Sequence, residues 1–139
     1  MRPDPALLAA SAMFAGASGF GSIVAIRHEV PGRPFGIGIP LSVPSGLLAG
    51  WGAGVAAPWP MPAAGLIVAA GTIRGQRSTW RGLVCMGLGL GCIAGTLIEP
   101  VTYRPRACPP AVRAAIALNL GASVVLAATG RRHLRQARR

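Results

Sequence analysis

Acidic residues are nearly absent from this chain: Asp4, Glu29 and Glu99 are the only three in 139 residues. Lysine is missing altogether, so all fourteen basic residues are arginine and the formal net charge is +11. Charged residues make up 12% of the chain, against about 25% in an ordinary soluble domain. That is too little charge to clothe a water-facing surface. The scarcity of acids also removes most catalytic pairings, because a second carboxylate for acid–base or glycosidic chemistry has few places to come from. No Ser-His-Asp order can be assembled from so few acids, and no serine sits in a nucleophile elbow.

Cysteine is equally sparse. Cys85, Cys92 and Cys108 form neither a CxxC pair nor an even disulfide framework. As helical residues seven apart, Cys85 and Cys92 lie about 10 Å from each other, too far to bridge. His28 and His133 have no HxxxH spacing and no cysteine partner nearby, whereas a zinc site takes three or four protein ligands. No metal or cofactor is expected, and the residues point away from an enzyme. The glycine runs at 52–54 and 87–91 do not follow a strand and open a helix, so they do not read as phosphate-binding loops.

What the chain does have is apolar sequence, 52% of its residues, arranged in long uncharged runs. This is the pattern of an all-α integral membrane protein. The abundance of Ala, Gly, Arg and Pro is that of a GC-rich, bacterial genome. The first run, 6–26, is long enough to cross a hydrocarbon core of about 30 Å. It continues nine residues beyond the Ala15-Gly16-Ala17 site, so it reads as a span and not as a cleaved leader.

From Phe35 to Ile73 there is no charge at all, and one helix over 37–73 would be about 55 Å long, more than a bilayer requires. The segment APWPMP, 57–62, is expected to turn the chain, since prolines remove donors and exclude helical geometry before each ring. Spans are therefore predicted at 37–57 and 61–73, then at 82–98, and finally at 110–130, opened by Pro109-Pro110 and stopped at Gly130. The result is a small polytopic helical bundle of five spans, with four as the alternative, and a basic tail at 131–139.

Arginine placement separates the two counts. Five spans gather ten arginines, Arg27 and Arg33 among them, on the side of the tail and leave four opposite; four spans divide them nine against five. The positive-inside rule prefers the first. It predicts a multi-pass protein of the cell membrane with its N-terminus outside, its C-terminus cytoplasmic, and the basic inner face against anionic lipid. Nucleic acid is not an expected partner, because the charge is spread over alternate loops and the tail lacks interleaved aromatics.

Glycines at intervals of four, Gly46, Gly50 and Gly54 in the second span and Gly87, Gly91 and Gly95 in the fourth, form GxxxG stripes that let helix backbones approach closely. They predict a glycine zipper inside the monomer, or between it and a second copy or another membrane protein. A leucine at Gly91 is expected to splay the fourth span from its neighbour.

The remaining polar candidates are Glu99, Arg104, Arg113 and Asn119. Glu99 stands at the end of the Gly87 stripe and is expected to form an interfacial ion pair with an arginine, or to serve as an ion or proton site. The leading expectation for function is a non-enzymatic accessory protein that packs through its glycines. A small proton-linked transporter or channel is the second, and a membrane subunit of a lipid or envelope enzyme the third.

Overall fold

The computed structural model describes residues 4–38, 40–50, 52–53, 55–73, 78–104 and 108–138. Among these residues the chain is all helical: α1 (Pro5–Arg27), α2 (Val43–Ala49), α3 (Pro60–Ala70), α4 (Thr79–Leu97) and α5 (Pro110–Ala137). Three of them, α1, α4 and α5, are long and apolar enough to cross a membrane. Trp80 and Tyr103, at opposite ends of α4, are exposed, as suits aromatic residues at the two interfaces of a bilayer.

Local chemistry sets the ends of these helices. Asp4 caps α1 by accepting the Leu7 N–H (3.2 Å), and Pro5 occupies the first turn, where a missing donor costs nothing. Glu29, at φ 49°, turns the chain away after α1. Pro100 ends α4 by holding Glu99 extended, at φ −82° and ψ 125°.

Among the described residues the predicted second span is not one continuous helix. Over 37–57 the chain makes a seven-residue α2, which Gly50 closes in the left-handed conformation at φ 87°, followed by an irregular loop in which Gly52 also has positive φ. Pro40 and Pro44 bracket the start of α2 and leave no uninterrupted run of donors ahead of it. The prolines expected to break the chain instead start a helix. Pro60 and Pro62 lie in the first turn of α3, where proline is tolerated. This helix has eleven residues, about 16 Å at 1.5 Å per residue, roughly half a crossing. Its far end is capped by Arg81 of α4, whose Nη1 donates to Val68 O (2.9 Å), and Gly71 leaves room for the guanidinium.

The fifth helix also departs from expectation. It passes through Gly130 and continues to Ala137, with His133 and Leu134 buried, so residues 131–138 are part of the bundle and not a free tail. Gly130 packs a helix here and does not stop one. A Cβ on it would stand 2.5 Å from Met86 N and 2.9 Å from Gly82 O.

The same contact shows which glycines join α4 to α5. Added Cβ atoms at Gly82 and Gly89 would meet α5 backbone at 2.8 Å (Gly130 O) and 2.6 Å (Ser123 O). The predicted packing stripe lies on another face of α4. Gly87 and Gly95 have nothing within 4 Å of an added Cβ, and Gly91 meets only Met61 Cε at 3.8 Å. In the predicted second stripe, Gly46 abuts Gly52 O of the following loop, Gly50 ends α2, and Gly54 lies outside the described residues.

Two long-range contacts define the ends of the bundle. Asp4, before α1, bonds Arg132 and His133 near the end of α5. The Arg33 N–H, after α1, bonds Glu99 after α4. Five successive crossings would part both pairs, since they would put Arg33 with the tail and Glu99 opposite it.

Candidate functional site

Small side chains leave a cavity of about 270 Å³ beside the loop residues 52–53 and 56–58, at the end of the bundle away from the termini. It is lined by Pro34, Ile98 and Glu99 from the ends of the chain segments there and by Met61, Gly91, Cys92 and Asn119 from α3, α4 and α5. Cys92 is seven residues before Glu99 on the same chain segment, about two helical turns further in. Between them, Gly95 and Thr96 of α4 and Ala53, Ala56, Ala57 and Pro58 of the loop complete the wall.

Glu99 is 7% exposed, and among the described residues its carboxylate receives a single donor, a backbone N–H. The Arg33 N–H is shared between Oε2 (2.9 Å) and Oε1 (3.0 Å). Burial pushes the carboxyl above its ordinary 4.5, with the Arg33 N–H pulling the other way without cancelling it. The loops on either side are tied together by Phe35 N–H to Ile98 O (3.1 Å). Phe35 adopts φ 55° to make that turn, an uncommon conformation for a non-glycine residue.

The expected ion pair is not formed by the described residues. Arg104 and Arg113 are both exposed, and the ion pairs present both use Asp4. Arg106, a third partner by sequence, lies outside the described residues. Extended geometry before Pro100 turns Glu99 inward toward Arg33, whereas the two arginines lie on the exposed side of their segments.

Asn119 is 1% exposed and faces both neighbouring helices. Its Oδ1 accepts from Ser18 Oγ of α1 and its Nδ2 donates to Cys92 Sγ of α4, each at 3.5 Å. Both are long for hydrogen bonds, although sulfur contacts run longer than oxygen ones. Thr96 and Ser123 spend their hydroxyls on the carbonyls of Cys92 (2.9 Å) and Asn119 (2.6 Å) one turn back. Glu99 and Asn119 thus share one cavity with Gly91 and Gly95, while Arg104, Arg113 and Gly87 do not line it.

A second polar cluster, which sequence spacing did not reveal, lies at the opposite end. His133 is fully buried, and its Nδ1–H donates to Asp4 Oδ2 at 2.7 Å; Arg132 Nη2 donates to Oδ1 at 3.1 Å. Burial alone would raise the Asp4 carboxyl. The His133 hydrogen bond, the Leu7 N–H and the two neighbouring charges together outweigh it and hold Asp4 below 3.8. Asp4 before an apolar run was readable as a helix cap, but its partners are 128 and 129 residues away. His133 Nε2 is buried without a hydrogen-bond partner, as are Ser11 Oγ and Arg81 Nε. Among the described residues no three His, Cys, Asp or Glu side chains come together to hold a metal ion.

No protein-family model, curated protein or solved structure matches the chain.

Proposed function

We propose that this is a membrane protein of four crossings whose cavity beside Glu99 is a solute-binding site of the transporter or receptor type. The cavity itself carries the reading. Non-helical backbone is tolerated at membrane depth only where it is buried in protein or lines a cavity. Interrupted helices in transporters expose such backbone to the substrate. Here the loop 52–58, between a seven-residue helix and an eleven-residue one, walls a space that also holds a buried carboxylate and a buried amide.

Which ends meet supports an even crossing number. Contact of Asp4 with Arg132 and of Arg33 with Glu99 fits an even number of passes, the second made by α3 with the loop before it. Counted by chain position, nine arginines then lie on the side of the termini and five opposite. The positive-inside rule assigns the termini to the cytoplasm and the end with the cavity to the other face. Exposed Arg131 and Arg135 would attract anionic lipid at the inner surface, each worth about 1 kcal/mol.

Two measurements test this. Reporters fused to the two termini should both read as cytoplasmic, and a cysteine at exposed Gly38 should be labelled from outside intact cells; an N-terminal reporter on the outer side would sink the four-pass arrangement. Purified protein should bind small solutes, and Gly95→Leu, which fills the cavity from a position where an added Cβ meets nothing, should abolish that binding.

A second reading, an accessory protein that packs against another helix, is supported by the open position of Gly87 between exposed Leu83 and Leu90 on α4. Cross-linking from Gly87→Cys to a partner helix, with no solute bound by the purified chain, would favour it.

A further inference from the structure

We propose that the cavity selects a small organic monocation, an ammonium or amidinium head on a compact apolar body, with the Glu99 carboxylate as its counter-ion. This rests on the reading of the cavity as a solute site and names what that site takes. The three acids of the chain have different surroundings. Asp4 is matched by Arg132 and His133, and Glu29 is exposed to solvent. Glu99 is buried, lines the cavity and receives one N–H, although a carboxylate offers about four lone-pair sites. Buried charges are ordinarily paired, and no side-chain cation among the described residues lies within ion-pair distance of this one.

The walls exclude the opposite sign. Among the described residues no arginine lines the cavity. Its ionisable lining groups are Glu99 and the Cys92 thiol of α4. From α5 comes the neutral amide of Asn119, and the described residues of the loop and the start of α3 contribute glycine, alanine, proline and Met61. Arg33 contributes its backbone N–H to Glu99, and the carbonyl end of α4 adds negative potential at the same place. An anion would meet a carboxylate with no compensating charge.

The same walls argue against a bare metal ion. Hard divalent cations take about six or more oxygen ligands, and one carboxylate with a weakly held amide does not supply them. Alanine, proline and methionine surfaces instead suit methyl and methylene groups, and the methionine thioether is polarisable and adaptable. At about 270 Å³ the space lies just below the usual range of ligand pockets, about 300–1,000 Å³, which limits it to a small solute.

Because a proton and the cation use one carboxylate, they exclude each other. Where Glu99 is protonated, entry of the cation converts Glu99–COOH to Glu99–COO⁻·cation and releases one proton to water, so charge is conserved. Burial places that exchange above 4.5.

The test uses the full chain in detergent with choline and its neutral isostere 3,3-dimethylbutan-1-ol, followed by titration calorimetry. At about pH 8 choline should bind at least about tenfold more tightly than the isostere, a modest share of the attraction between opposite charges a few ångströms apart in a partly buried site. Acidification to about pH 5 should weaken choline and leave the isostere unchanged. Glu99→Gln should bring the two ligands together and remove the pH dependence, and Gly95→Leu should abolish both. Equal binding of choline and isostere to the wild type overturns the cation assignment while leaving a solute site in place. Binding of neither, or binding indifferent to Gly95→Leu, overturns the solute site as well. If Glu99→Gln fails to fold, the wild-type pH series and the isostere comparison carry the same decision.

Discussion

The two ends of this bundle handle a buried carboxylate in opposite ways. At the end that holds the termini, Asp4 is surrounded by donors from Leu7, Arg132 and His133, and the helices around it close backbone to backbone through Gly82 and Gly130. At the other end Glu99 receives one N–H, and the glycines of α4 nearest to it face open space. The consequence is a carboxyl held below its ordinary value at one end and pushed above it at the other. A saturated carboxylate over a closed interface stabilises the fold. An unsaturated one beside a cavity costs stability whenever it is charged, and such cost is typically retained where a ligand uses the group.

The largest expected contrast lies along α4. A leucine at Gly89 would drive its Cβ to 2.6 Å from Ser123 O and 2.7 Å from Ala127 N, backbone atoms that cannot move aside. It should lower stability in detergent by about 3 kcal/mol or more, the upper range for overpacking. The same substitution at Gly95 should leave the melting temperature nearly unchanged while blocking the cavity. Equal losses at the two sites would mean that the open face is packed against something.

Intermediate effects come from the carboxylates and their titration. Asp4→Asn removes the charge that Arg132 and His133 share, and should cost about 1–3 kcal/mol at neutral pH, the range for a buried partner lost, toward the low end because Arg132 is half exposed. Glu99→Gln should be neutral or mildly stabilising. The pH dependence follows the signs. The Asp4 contribution is present above 3.8 and is lost as pH falls through its lower folded value. Glu99 binds its proton more tightly folded than unfolded, so its penalty grows as pH rises from 4.5 through the folded value and is relieved on acidification. Melting curves of wild type, Asp4→Asn and Glu99→Gln against pH separate the two. If Glu99→Gln leaves the profile between pH 4.5 and neutrality unaltered, the desolvation of Glu99 is not felt by the fold.

Much of this architecture was legible in the sequence, and the misses share one cause. The helical membrane class and the long helices α1, α4 and α5 follow from uncharged length and flanking charge. The spacing put Glu99 in line with Gly87, Gly91 and Gly95 as a packing stripe, whereas Gly91 and Gly95 line a cavity with it and Gly87 does not. Local spacing could not say which face of α4 meets α5, because glycines recur on several faces: Gly82 and Gly89 lie seven apart on one, Gly87, Gly91 and Gly95 on another. Nor could it assign Gly130, which reads as a stop from one side and as a contact from the other. Whether the prolines of 57–62 end one helix or begin the next is decided by Trp59 Nε1 donating to Ser22 Oγ (3.0 Å) and by Gly21 making room for Val55 O. These contacts lie more than thirty residues apart in the chain, beyond the reach of periodicity.

The smallest predicted effect tests the open face most directly. Glycine in a helix interior costs about 0.8–1.0 kcal/mol relative to alanine, and that cost persists only where an added methyl has nowhere to go. At Gly87 an added Cβ meets nothing within 4 Å, and at Gly91 it touches only the flexible end of Met61 at 3.8 Å. Gly87→Ala and Gly91→Ala should therefore raise stability in detergent by a few tenths of a kcal/mol each, up to the full propensity difference. A leucine at Gly91 should displace Met61 without splaying α4 from α5, contrary to what the spacing of the stripe implies. The sign of the alanine effect is the informative quantity. A gain at both positions with unchanged solute binding makes Gly87 and Gly91 incidental. A gain in stability coupled to weaker binding at Gly91 alone marks that glycine as cavity wall, kept small so that the site stays open.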